Sequence, residues 1–180
     1  MAEPFALTPP AGALRSWASF SECGRYRYEL GREWNSEKAC VCWILLNPST
    51  ADALVDDQTT KKIRRFSESW GYGSFVLGNA YAWRATDPRA LPRDRSMAVG
   101  PENDERIVGL ASLSMMVVLG WGNNITPARA REVLELLRGY RTPSALRVSK
   151  FGTPAHPLYL RESLEPRPLD ELLAEVNGGR

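Results

Sequence analysis

Hydrophobic positions along the chain fall into short runs separated by polar, glycine- and proline-rich punctuation. Residues 39–46 (ACVCWILL) are continuously apolar and end at Asn47-Pro48. A run of this length with β-branched and aromatic members predicts a strand buried on both faces. Residues 74–80 (SFVLGNA) and 115–119 (MMVVL) predict a second and a third such strand, and residues 146–148 a shorter fourth. Residues 25–30 (RYRYEL) alternate polar and apolar, the pattern of a half-buried strand. Between these, Asp57 or Thr59 caps a predicted helix that runs to about residue 69 and stops at Gly71-Tyr72-Gly73. Pro101-Glu102-Asn103-Asp104 opens a helix to about residue 113, and Pro127 opens another to about 137. A last amphipathic helix is expected over residues 168–176. Residues 1–20, with Pro4, Pro9, Pro10 and Gly12, read as a loosely attached arm, and residues 83–101 as a long surface loop.

Strand and helix therefore alternate through residues 21–180. That order predicts one α/β domain whose central sheet is mostly parallel, with helices on both faces. Ligands of such sheets sit at the carboxyl ends of the strands. Four polar or aromatic residues fall there: Asn47, Asn79, Trp121 and His156.

Composition narrows the function classes. The 180 residues are 43% hydrophobic and 24% charged, as in an ordinary soluble globular protein. No apolar run approaches the ~20 residues of a membrane span, and the start of the chain lacks a signal-peptide layout. A cytoplasmic monomer with no membrane partner and no cofactor is expected. Three cysteines without a CxxC pair argue against a disulfide framework or a metal knuckle. Cys40 and Cys42 share strand parity and are expected to face the core. The net charge of +2 neither demands nor excludes nucleic acid. The basic string Lys61-Lys62-Ile63-Arg64-Arg65 is either a solvated helix face or a phosphate contact.

The candidate chemistry is thinly spread. His156 is the only histidine, and it lies in a Gly/Pro-rich loop after a predicted core strand. An imidazole there can stabilise negative charge developing on a ligand oxygen. Asn47 precedes a proline that favours an extended backbone, and its amide can hold a water or read a ligand edge. Asn79 interrupts an apolar strand, where an amide must find a partner or incur a desolvation penalty. Asp52, Asp56 and Asp57 cluster near Asn47, either as caps or as a general base or metal ligands. No Walker loop, nucleophile elbow or GxGxxG fingerprint is present.

The string Leu46-Asn47-Pro48-Ser49-Thr50-Ala51-Asp52, with Asp56-Asp57, Trp70-Gly71-Tyr72-Gly73, Asn79, Arg84-Ala85-Thr86-Asp87-Pro88, Gly100-Pro101-Glu102-Asn103-Asp104 and His156-Pro157-Leu158-Tyr159-Leu160, resembles a widespread bacterial family of unknown function. The same landmarks, in the same order, resemble the uracil-DNA glycosylase superfamily. In that superfamily a parallel α/β sheet carries a water-positioning motif after its first core strand, and Asn47-Pro48 resembles it. Asn79 stands where an Asn reads the flipped base, and His156-Pro157 resembles the C-terminal histidine loop. Residues 79–88 also resemble the iron–sulfur branch, whose cluster cysteines are absent. Two further departures are Pro157-Leu158 in place of Pro-Ser, and the Asp56-Asp57 pair, which has no counterpart.

The resemblance implies a DNA glycosylase that flips a damaged or modified base, such as a bulky phage-type pyrimidine, and hydrolyses its N-glycosidic bond. Asn47 would hold the water with help from Asp52, and His156 would stabilise the departing base. Pro48, Ser49, Asp56, Asp57, Asn79 and Trp121 would surround that base, with Trp70 and Tyr81 as further stacking candidates. Leu158, Tyr159 or Leu160 would wedge the duplex, and Lys61, Lys62 and Arg84 would meet DNA phosphates. Two other readings stand beside it: a non-catalytic reader of modified nucleotides or DNA, and a metal-dependent nucleotide hydrolase using Asp52, Asp56, Asp57 and His156.

Overall fold

A computed structural model describes residues 12–49 and 55–178. Strands β1 (Arg15–Phe20), β2 (Arg27–Glu33), β3 (Cys40–Leu45), β4 (Ser74–Asn79), β5 (Met116–Leu119), β6 (Ser144–Ala145) and β7 (Arg167–Pro168) form one sheet. Their order is β1-β2-β4-β3-β5-β6-β7. The four central strands β4, β3, β5 and β6 are parallel. The flanking pairings β1–β2, β2–β4 and β6–β7 are antiparallel. The sheet is therefore mixed rather than mostly parallel. Parallel neighbours need a helical crossover, whereas an antiparallel neighbour can be reached by a short return. The helix-by-strand alternation in sequence thus reported only the central strands.

The helices are α1 (Gln58–Ser69), α2 (Arg95–Val99), α3 (Asn103–Leu113), α4 (Pro127–Leu137) and α5 (Leu169–Gly178). They cover both faces, and β3 shows how. Val41, Trp43 and Leu45 pack with Ile63 and Phe66 of α1. Cys42 and Ile44 pack with Ile107 and Leu110 of α3, Val133 and Leu137 of α4 and Leu172 of α5. A strand with both faces covered needs an unbroken apolar run, which residues 39–46 supply. Cys42 is fully buried and Cys40 packs against the same cluster, as their parity requires.

Local signals are met in detail at α1. Asp57, not Thr59, is its cap: Oδ1 accepts from the Thr60 backbone N–H at 2.7 Å. Elsewhere the boundaries shift. Residues 15–20, expected as part of a loose arm, form the edge strand β1, whose Trp17 covers Gly31 so closely that a Cβ there would lie 2.1 Å from the indole. The fourth parallel strand is Ser144–Ala145, and Val148 makes only an isolated bridge to Pro154. Within residues 83–101, a 3-10 turn at Pro88–Ala90 and α2 are capped by Asp87 and Asp94. Among the described residues no helix is long and apolar enough to cross a membrane.

From β3 the chain crosses to β4 on one side and then to β5 on the other. The loops leaving β3 and β5 therefore diverge, and a crevice opens at their carboxyl ends.

Candidate functional site

A cleft of about 670 Å³ occupies that crevice. Leu45 and Asn79 are register partners on β3 and β4. Residues two apart on a strand share a face, so Leu45, Leu77 and Asn79 together form the cleft floor. Asn47 and Ser49 enter from the loop after β3, Trp121 and Gly122 from the loop after β5, and His156 from the loop beyond β6. Gly120 permits this convergence, because a Cβ there would lie 2.9 Å from Pro157 and 3.0 Å from Leu45. The Gly122 N–H then donates to the Pro154 carbonyl at 2.9 Å, tying the two loops together.

Each polar side chain has a defined state. The Asn47 Nδ2 group donates to the Ala85 carbonyl at 2.7 Å and to the Pro48 carbonyl at 3.1 Å. Two carbonyl acceptors fix the amide orientation and leave Oδ1 as an acceptor. Asn79 is 1% exposed, and its Nδ2 is buried without a hydrogen-bond partner among the described residues. Its backbone is clamped from the opposite side by Asn103, whose Nδ2 donates to the Asn79 and Ala80 carbonyls at 3.0 and 3.2 Å. Trp121 is buried, and its Nε1 likewise lacks a partner among the described residues. His156 Nδ1 accepts from the Leu158 backbone N–H at 3.4 Å, which places the imidazole proton on Nε2. Burial pushes the His156 pKa below its usual value, against an opposing pull from Asp57, so the ring is neutral at pH 7.

The charged residues lining the cleft are Asp57, Arg27 and the exposed Arg147. Asp57 lines it while holding the α1 N-terminus; Oδ1 also accepts from Thr60 Oγ1 at 2.9 Å, and Oδ2 accepts from Ser49 Oγ at 3.4 Å. Arg27, on β2, lines the same cleft and is 5% exposed. The alternation in residues 25–30 marked Arg27 only as a polar position on a half-buried strand. Its role became visible through a β-bulge: Ser19 pairs with Glu29 but Phe20 with Arg27, so Tyr28 is passed over. One skipped residue turns the side chains beyond it to the other face.

A family model described as a protein of unknown function (DUF1643) matches residues 27–158. The chain belongs to this family. The match begins at Arg27 and runs just past His156, so it spans the cleft residues contributed by the ends of β3, β4, β5 and β6. Comparison with curated proteins and with solved structures finds no match.

Several residues expected at the site of this DUF1643 protein lie elsewhere. Asp56 does not face the cleft: its Oδ1 accepts from Arg32 Nε at 3.0 Å in a buried ion pair that anchors the start of α1 to β2. Asp52 lies outside the described residues. Among the described residues no group of three acidic, histidine or cysteine side chains converges as metal ligands would. Pro48 contributes its carbonyl to Asn47 and to the Ala85 N–H rather than its ring to the cleft. Trp70 and Tyr81 serve packing. Trp70 stacks on Trp43 at 5.5 Å and donates to the Leu164 carbonyl, and the Tyr81 hydroxyl bonds Thr126.

The expected wedge and phosphate contacts separate in the same way. Tyr159 is 82% exposed at the cleft mouth, with its ring centroid 6.0 Å from that of His156. Leu160 is 5% exposed and packs into the α1-side core, so it cannot act as a wedge. Leu158 is half-buried on the 3-10 turn Pro157–Tyr159. Leu160→Ala is expected to cost about 3 kcal/mol of stability through the cavity it leaves, read by denaturant titration. Tyr159→Ala is expected to leave stability within about 0.5 kcal/mol of wild type. Lys62 pairs with Glu162 at 3.1 Å and Arg65 pairs with it at 2.9 Å, which blunts that basic patch; Lys61 is exposed beside them. Arg84 donates to the Gly24 carbonyl and lies over the Phe20 ring. Arg147, which the sequence reading passed over, is the exposed cation on the cleft lining.

Proposed function

We propose that the cleft receives a base flipped out of DNA and hydrolyses its N-glycosidic bond. The supporting observation is the convergence of Asn47, Asn79 and His156, each with an uncommitted polar atom, on one cleft at the carboxyl ends of the parallel strands. Asn47 Oδ1 holds the attacking water, oriented by the two bonds that fix its amide. The water oxygen bonds to the sugar carbon as the carbon–nitrogen bond breaks. The electron pair of that bond leaves with the base, and the proton released by the water neutralises it. Neutral His156 donates from Nε2 to an oxygen of the departing base, so charge is stabilised without a prior proton transfer. The Asn79 Nδ2 group reads an acceptor on the base edge, where the cost of leaving it unsatisfied is recovered.

Tyr159, exposed beside His156, fills the gap in the duplex, and Arg147 meets a phosphate at the rim. The parallel central strands, with Asn47 following β3, fit the resemblance to the uracil-DNA glycosylase superfamily. The reading is tested with single- and double-stranded oligonucleotides carrying uracil or bulky modified pyrimidines, and with phage DNA rich in modified bases. Free base is detected by mass and abasic sites by alkaline cleavage. Base release is expected, with His156→Gln slower by about 10²-fold. The reading fails if no free base appears from any substrate. Salt-dependent binding that persists in Asn47→Ala without release would identify a non-catalytic DNA reader instead.

A further inference from the structure

Three arginines are buried in the described residues, and they differ in one respect. Arg32 is neutralised by Asp56 at 3.0 Å. Arg129 is neutralised by Asp104 at 2.5 Å and Glu132 at 3.2 Å. Arg27 has no carboxylate within ion-pair distance among the described residues, and its Nε is buried with no hydrogen-bond partner. Asp57 attracts it from farther off, but the Asp57 oxygens already serve Thr60 and Ser49. Arg84 and Arg32 add repulsion. Burial lowers the Arg27 pKa to about 10, which still leaves the guanidinium charged at neutral pH. A buried charge without a partner is costly, and proteins retain few of them.

The surroundings repeat the pattern. Asn79 Nδ2 and Trp121 Nε1, on the lining of the same cleft, are also buried donors without acceptors. Among the described residues the cleft thus holds three unsatisfied donor nitrogens, one of them cationic, in a volume within the range for drug-sized ligands. A ligand that matches this set carries several acceptor oxygens and a negative charge. We infer that Arg27 binds an oxyanion on the ligand, either an acidic substituent on the base or the phosphate beside it. This rests on the reading of the cleft as a nucleotide site and adds the charge of the nucleotide that it selects.

The two sources are separated by calorimetric titration of the full chain with paired probes: uracil against 5-carboxyuracil, and thymidine against thymidine 5′-monophosphate. The wild type is expected to prefer the acidic member of one pair by about tenfold or more, the effect of one charge-assisted hydrogen bond. A preference in the first pair assigns the oxyanion to the base, and one in the second assigns it to the phosphate. Arg27→Gln is expected to erase the preference and Arg27→Lys to retain part of it. Arg27→Met is expected to melt no lower than wild type, because the empty cleft loses an uncompensated charge. Equal binding within both pairs by the wild type overturns the inference without recourse to any variant. So does a preference that survives Arg27→Gln, or a marked fall in Tm for Arg27→Met. Preference without base release from any DNA would remove only the glycosylase reading, and release without preference would remove only the role of Arg27.

Discussion

Asn47→Ala is expected, on the proposed glycosylase reading, to lower base release by about 10²- to 10³-fold under single-turnover conditions, with binding of substrate DNA little changed. The size follows from what the side chain does. Its Nδ2 group is held by the Ala85 and Pro48 carbonyls, so Oδ1 stands in one orientation before any ligand arrives. On that reading, a water held there needs no reorganisation at the moment of attack, and alanine leaves it unplaced. The same substitution removes two hydrogen bonds from a half-buried loop, and a stability loss of about 1–2 kcal/mol is expected alongside. Asn47→Asp is the informative companion. It keeps an acceptor but sets a carboxylate against two carbonyl oxygens, so the loop rearranges and release falls as well. A rate in Asn47→Ala within about threefold of wild type would remove the water-holding role.

Asp56→Ala is expected to cost about 3 kcal/mol of stability, or a fall in Tm on the order of 10 °C. Arg32 is fully buried, and Asp56 is its ion-pair partner. Alanine would leave the guanidinium charged inside the protein without its ion-pair carboxylate. Replacing both groups, as Arg32→Met with Asp56→Leu, is expected to recover most of the loss, since the uncompensated charge then disappears with its partner. Denaturant titration of the two single variants and the double variant measures the coupling. The neighbouring Asp57→Asn behaves differently. It keeps an acceptor for the α1 N-terminus while removing the negative charge that faces His156 and Arg27. A stability loss for Asp56→Ala below about 1 kcal/mol would contradict the buried-pair account.

That contrast between adjacent aspartates marks the limit of reading the chain locally. Both were legible as acidic residues before a helix, and Asp57 was legible as a cap because a side-chain acceptor three residues before an N–H is a local relation. The partner of Asp56 lies on β2, 24 residues away in sequence, and nothing near Asp56 announces it. Leu160 and Tyr159 show the same division. Adjacent apolar residues in a turn cannot be sorted into core and mouth without knowing which faces α1. Arg27 is the strongest case. Its approach to the cleft depends on the bulge at Tyr28, which is set by the pairing of β1 with β2 and has no periodic signature.

What the chain determined by itself was local: the doubly apolar runs of β3, β4 and β5, the cap and stop of α1, the proline start of α4, and the polar residues Asn47, Asn79 and His156 at the exits from strands. Periodicity and capping depend on neighbours a few positions apart, so they survive in the linear sequence. The tertiary structure alone decided three further things. It set antiparallel strands on both edges of the parallel core, paired Arg32 and Arg129 while leaving Arg27 without an ion-pair partner among the described residues, and brought the exits of β3, β4, β5 and β6 to one cleft. These outcomes rest on pairing, burial and electrostatic compensation between segments far apart in the chain. Their free energies arise only when desolvated groups meet, and no local pattern records them.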